Sequence, residues 1–263
     1  MCRDAELVAS LETRRGSSRH AMANLLLGMS RLAAGHADQA VAPFRIAAEE
    51  GSVVNGITEM AALGYLALIA EDEGDWAAAE GYVAGATRRM TELRIGKHAP
   101  CAHIYVARAR LLAHADDQET WRDVALGEAV LDTMAPWPWG TLLVSVAFGE
   151  LCLANGRSGE AERWLTRAYA TLAEWPDAGV LAVRARALRK QIGERADCAR
   201  LTIAEQRVLD LLPTQMTTTE IAAHLFVSRN TVRTHAMHIY RKFGVSTRTG
   251  AVAHARTLGL LPT

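Results

Sequence analysis

Residues 217–244 read TTTEIAAHLFVSRNTVRTHAMHIYRKFG, and this stretch decides the architecture of the last quarter of the chain. Thr217 with Glu220 three residues on is a capping box, in which hydroxyl and carboxylate satisfy orphan amides at a helix start. It opens a short helix with Ile221, Ala222 and Leu225 on its buried side. Phe226-Val227-Ser228 then makes a tight turn, and Ser228 is a suitable N-cap for a longer helix. Its apolar residues Val232, Ala236, Ile239 and Phe243 recur at spacings of 4, 3 and 4, which is one helical face. Gly244 ends it as a C-cap. The opposite face carries Asn230, Arg233, Thr234, Met237 and Arg241, with Arg229 near the start. A helix fastened to a core on one side, and basic and amide-bearing on the other, suits a DNA major groove about 12 Å wide.

The flanks extend the pattern. Thr202 and Glu205 form an earlier capping box, opening a helix with the stripe Val208, Leu209 and Leu212 that Pro213 stops. A last helix follows Ser246-Thr247 and runs through Val252 and Ala255 to Leu258. The chain of 263 residues is formally neutral, with 29 Lys/Arg and 29 Asp/Glu, but residues 200–263 hold eight basic residues against three acidic ones. Beyond Glu220 there are six basic residues and no acid. A basic tail on a mildly acidic body predicts that the tail meets a polyanion.

The words TEIA, LFVS, NTV-x-TH, IYRKFGV and STRT-x-AV, within residues 201–261, resemble the LuxR-type (GerE-type) helix-turn-helix domain. The resemblance implies a four-helix domain whose third helix, about 229–243, enters the major groove of double-stranded DNA. It also implies a homodimer on DNA through the C-terminal helix, with Val252, Ala255 and Leu258 as the contact. On matching positions, Arg233, Thr234 and Met237 are base-facing. Arg229, Asn230, Thr231, Arg241 and Lys242 take phosphate or mixed contacts. His235 is expected to support the core, as are Val232, Ile239, Tyr240 and Phe243. This sequence departs from the family pattern in three places. A glycine usual near Gln215 is missing, Gly250 stands where a helix former is usual, and Met237 replaces a customary base-facing lysine.

Upstream, residues 1–195 carry an internal repeat. Gly35, Ala40, Phe44 and Ala47 are matched thirty-nine residues later by Gly74, Ala79, Val83 and Ala86. Gly156, Ala161, Leu165 and Ala168 form a third copy, and a degraded one fills the gap in ARARLLAHADDQETWRDVALGEAV. Glycine breaks the chain between two helices, and the small residue after it lets them approach closely. Such hairpins bury their apolar faces only by stacking. The predicted fold is therefore all-α, a tetratricopeptide-like helical-hairpin array over 1–195 followed by the helix-turn-helix domain over 200–263. The segment APWPWG (135–140) is expected as an extended loop displaying Trp137 and Trp139, and Arg184, Arg186, Arg189 and Lys190 as a solvated basic face.

Catalytic signatures are missing from the sequence. It has no G-x-x-x-x-G-K-[ST], no G-x-S-x-G and no H-E-x-x-H, and His98, Cys101 and His103 fit no common metal spacing. No enzyme, cofactor or metal is expected. Four scattered cysteines read as reduced thiols of a cytoplasmic protein, and no run approaches the ~20 apolar residues of a membrane span. A helical array before such a tail resembles the C-terminal part of the large ATP-dependent regulators related to the maltose regulator. The chain is then expected to be either a piece of such a regulator or a short member that lost the ATPase, and Ala5–Thr13, read as a mid-repeat helix, favours the piece. The expected function is that of a bacterial sequence-specific DNA-binding transcriptional regulator, its array a sensor or docking module for a small-molecule or protein effector. The alternative is an interaction scaffold in which DNA binding is secondary.

Overall fold

Gly35, Gly74 and Gly156 adopt φ values of 87°, 78° and 75°, the left-handed backbone that only glycine takes without strain, and each closes a helical hairpin. The computed structural model describes residues 15–96, 101–115, 117–133, 137–199, 201–257 and 260–261, with backbone alone at 196–199 and 257. These contain thirteen helices and no strand. They are α1 (Ser18–Ala33), α2 (Ala37–Val54), α3 (Gly56–Glu73), α4 (Trp76–Glu92), α5 (Ala102–His114), α6 (Thr120–Thr133), α7 (Pro138–Ala154), α8 (Ser158–Glu174), α9 (Val180–Ala199), α10 (Ile203–Leu211), α11 (Thr218–Leu225), α12 (Arg229–Phe243) and α13 (Arg248–Thr257). The chain divides into two compact units, residues 1–190 and 191–263. Ala5–Thr13 lies outside the described residues.

In the first unit, α1/α2, α3/α4, α5/α6 and α7/α8 are antiparallel hairpins, and α1, α3, α5 and α7 also pack on one another in succession. The repeat register holds. Ala40, Phe44 and Ala47 on α2, and Ala79, Val83 and Ala86 on α4, are buried where each second helix meets its neighbours. The degraded copy keeps the same register without its glycine. Thr120, Val124 and Gly127 are buried at the corresponding places on α6. Gly127 is small for a reason: a Cβ there would lie 2.6 Å from the Phe148 ring.

Two expectations need correction. In the last hairpin the buried face is Ala161, Trp164 and Ala168, with Leu165 half-buried. Steps of three and of four both stay on one helical face, and the indole packs against Phe148 at a ring distance of 5.2 Å. The second concerns APWPWG. Ala135 and Pro136 lie outside the described residues, but Pro138 and Trp139 belong to the first turn of α7, and the Trp137 ring covers Gly140. Proline's fixed φ and missing N–H suit a helix start as well as an extended loop.

Buried aromatic stacking ties the first three hairpins together, with Phe44 on Tyr65 at 5.0 Å and Tyr65 on His103 at 4.2 Å. His103 Nε2 donates to the Ala61 carbonyl at 3.0 Å, and burial lowers its imidazole to about 4, so it packs neutral. The Cys101 thiol donates to the Ile95 carbonyl. His98, the third of that trio, lies outside the described residues. The basic stretch on α9 is partly internal: Arg184 grips Glu150 through two hydrogen bonds, and Arg189 lies over the Tyr169 ring. No described helix is long and apolar enough to cross a membrane.

Candidate nucleic-acid interface

In the second unit α10–α13 close around Val208, Leu209, Leu212, Ile221, Val232, Ile239 and Phe243. Both capping boxes form. Glu205 N donates to Thr202 Oγ1 at 3.2 Å, while Glu205 Oε2 accepts from Thr202 N at 2.7 Å. Thr217 and Glu220 repeat the arrangement at the start of α11. The turn into α12 is tighter than its sequence suggests. Phe226 takes a left-handed φ of 57° with its side chain 94% exposed, and Val227 N donates back to Ala222 O at 3.0 Å. This is a Schellman-type closure built on an aromatic residue instead of glycine. Ser228 then caps α12, accepting from Thr231 N at 3.1 Å.

One face of α12 buries Val232, Ile239 and Phe243 in that core, with Ala236 half-buried between them. The opposite face leaves Arg229, Asn230, Arg233, Thr234, Met237 and Arg241 exposed in a continuous row, Met237 at 60%. Two residues expected in the same set are placed otherwise. Thr231 is half-buried, and its hydroxyl shares a 2.8 Å hydrogen bond with Ser228 Oγ, so it completes the cap. Lys242 Nζ donates to Glu205 Oε2 at 2.7 Å, with only 16% of its side chain exposed. It fastens α12 to α10. Burial alone would raise the Glu205 carboxyl, but the hydrogen bonds from Lys242 and Thr202 outweigh it and hold the group below its ordinary value. His238 Nδ1 stands 3.7 Å from the other oxygen of Glu205.

Sequence reasoning also missed Arg248. Its guanidinium donates to the carbonyls of Leu212 (2.8 Å), Met216 (2.8 Å) and Thr214 (2.9 Å), clamping the connection from α10 to α11. The signal was present: a helix stopped by Pro213 with no glycine cap leaves its last carbonyls in need of donors. Arg248 therefore belongs to the frame, and the basic charge offered on the exposed row of α12 comes from Arg229, Arg233 and Arg241.

Residues 190–255 match the family model "Bacterial regulatory proteins, luxR family". The spore germination protein GerE of Bacillus subtilis is 43% identical over 61 residues, covering 23% of this chain and 82% of that protein. The CsgBAC operon transcriptional regulatory protein of Escherichia coli is 41% identical over 59 residues, 22% of this chain and 27% of that protein. The probable transcriptional regulatory protein NarL of Mycobacterium tuberculosis is 41% identical over 61 residues, 23% and 28%. The chain belongs to the luxR family. It spans most of GerE but only about a quarter of the two longer relatives, and no solved structure matches it.

The luxR-type tail departs from expectation at α13. Ala251 and Ala255 are fully buried in the tail's own core and Val252 is half-buried against it, while Leu258 lies outside the described residues. Ala255 is thus no part of an exposed contact patch. Residues four apart share a face, and this one turns inward. Thr247 caps the helix, its hydroxyl accepting from Gly250 N at 3.0 Å.

Proposed function

We propose that this luxR-family protein is a cytoplasmic, sequence-specific DNA-binding transcriptional regulator, with residues 200–263 as the DNA reader and 1–195 as its sensor or docking module. The observation that carries the reading is the exposed row on α12, set on a helix whose other face is locked into the core. Arg233, Thr234 and Met237 stand in the middle of the row, where base edges are reached. Arg229 and Asn230 stand at its start, where the positive end of the helix dipole favours phosphate, and Arg241 stands in its last turn. Thr231 and Lys242 support the reading as positioning residues, orienting the helix by its cap and by Glu205. Two tails would bind inverted half-sites about 10 base pairs apart, the paired site supplying the effective concentration that a small interface lacks.

The test is selection of bound sites from random DNA with the full chain, followed by a salt titration on the selected site. A two-fold symmetric sequence is expected. Log K should fall with log salt at about 0.9 per phosphate neutralised. Failure to enrich any sequence, with a flat salt response, overturns the assignment and leaves the scaffold reading.

A further inference from the structure

We infer that Met237 reads the C5 methyl group of a thymine in the bound site. This rests on the reading of α12 as the DNA-facing helix, and it names the base that one position of the row selects. Met237 is 60% exposed on the face of α12 turned away from the core, with Arg233 one turn before it and Arg241 one turn after. On a helix rising about 1.5 Å per residue, the two arginines stand about 6 Å along the axis to either side. Val232, Ile239 and Phe243 are buried, so Met237 is the one large apolar side chain that α12 leaves in solvent.

Three features select a methyl group over the other contacts a groove offers. First, a thioether has no hydrogen to donate and accepts only weakly. Base edges in the major groove present donors and acceptors at every pair, and the thymine methyl is their one apolar group. Second, an apolar side chain pressed on an amino, carbonyl or ring-nitrogen edge strips its water and returns no hydrogen bond, which is costly. Against a methyl group the same approach buries apolar surface on both sides. The unbranched, polarisable side chain of methionine also adapts its shape to such a contact. Third, Arg233 and Arg241 supply positive charge to either side, so the position between them is not needed to neutralise phosphate. Thr234, three residues before Met237 and exposed in the same row, carries a methyl group of its own and is the competing reader.

The experiment uses the full chain and the site it selects from random DNA, with each thymine replaced in turn by deoxyuridine, which lacks only the C5 methyl. Binding should weaken about four-fold at one thymine of a half-site, the equivalent of one buried methyl group. Met237→Ala should no longer distinguish uracil from thymine at that position, with its thermal midpoint unchanged because the side chain is exposed. Its salt dependence should match that of the unaltered chain, since no phosphate contact is lost. Thr234→Ser, which removes the competing methyl and keeps the hydroxyl, should retain the distinction. An enriched site at which no uracil substitution weakens binding overturns the inference. So does a distinction that survives Met237→Ala, or one that Thr234→Ser abolishes. A loss in Met237→Ala that is equal at every site marks a sugar contact and overturns it as well. Failure to enrich any sequence is a separate result, which removes the DNA-binding reading itself and this inference with it.

Discussion

Arg233 and Lys242 are nine residues apart on one helix and carry the same charge, yet one is exposed and the other is paired with the buried Glu205. Arg233 is exposed in the middle of the row, so Arg233→Ala should cost roughly 1–3 kcal/mol of DNA binding and relax preference at one base pair. Binding to single-base variants of the selected site measures this, and a uniform loss across variants would contradict a base-facing role. Arg241→Ala should weaken all sequences alike. Lys242→Ala should lower the tail's own stability by about 1–3 kcal/mol, because it strips the buried Glu205 of a charged donor. Denaturant unfolding of the tail transition separates the two lysine roles: a phosphate contact would leave the midpoint unchanged.

Helix packing argues from glycines whose neighbours differ. In α6, a Cβ at Gly127 would meet the buried Phe148 ring at 2.6 Å, so Gly127→Ala should destabilise the array by about 1–3 kcal/mol through overpacking. In α8, a Cβ at Gly159 would meet nothing, and Gly159→Ala should be neutral or stabilise by up to about 1 kcal/mol. Gly250 in α13 lies between these cases. Alanine there gains helix propensity, but its Cβ would press on the capping Thr247 hydroxyl at 3.0 Å, so the gain should fall short of about 1 kcal/mol. Thermal unfolding of the three variants checks the order. The hairpins and α12 were legible because each rests on local chemistry: a glycine turn, a capping box, a 3-and-4 spacing. The inward turn of Ala255 and the exchange of Leu165 for Trp164 were not, because they depend on which neighbour a face meets.

Across the chain, the two units should respond to pH in opposite senses. In the array, burial lifts the Glu71 carboxyl to about 8, above its unfolded value, so the folded state binds more protons. Its stabilising effect is complete below about 4.5 and is lost as pH rises towards 8. His103, lowered to about 4, acts the other way, and its contribution is lost as pH falls below about 6.5. Above about 6.5 His103 no longer adds a slope, and array stability should decline between pH 6.5 and 8. Glu71→Gln should flatten that decline, as denaturant midpoints at several pH values would show. In the tail, Glu205 is held below its ordinary value, so its contribution persists at neutral pH and is lost as pH falls through the acid range.

The sequence by itself determined the all-helical array, its register of about forty residues, the luxR-type tail and the row of α12 residues that faces outward. All of these follow from periodicity, caps and composition, which act over a few neighbouring residues. Tertiary structure alone decided that Lys242 and Arg248 serve the frame. It also decided that Trp139 starts a helix, and that Arg110 of α5 meets Glu71 and Asp72 of α3. These partners lie dozens of residues apart, and whether a charge faces DNA or a buried carboxylate is settled only by the packing that brings them within bonding distance.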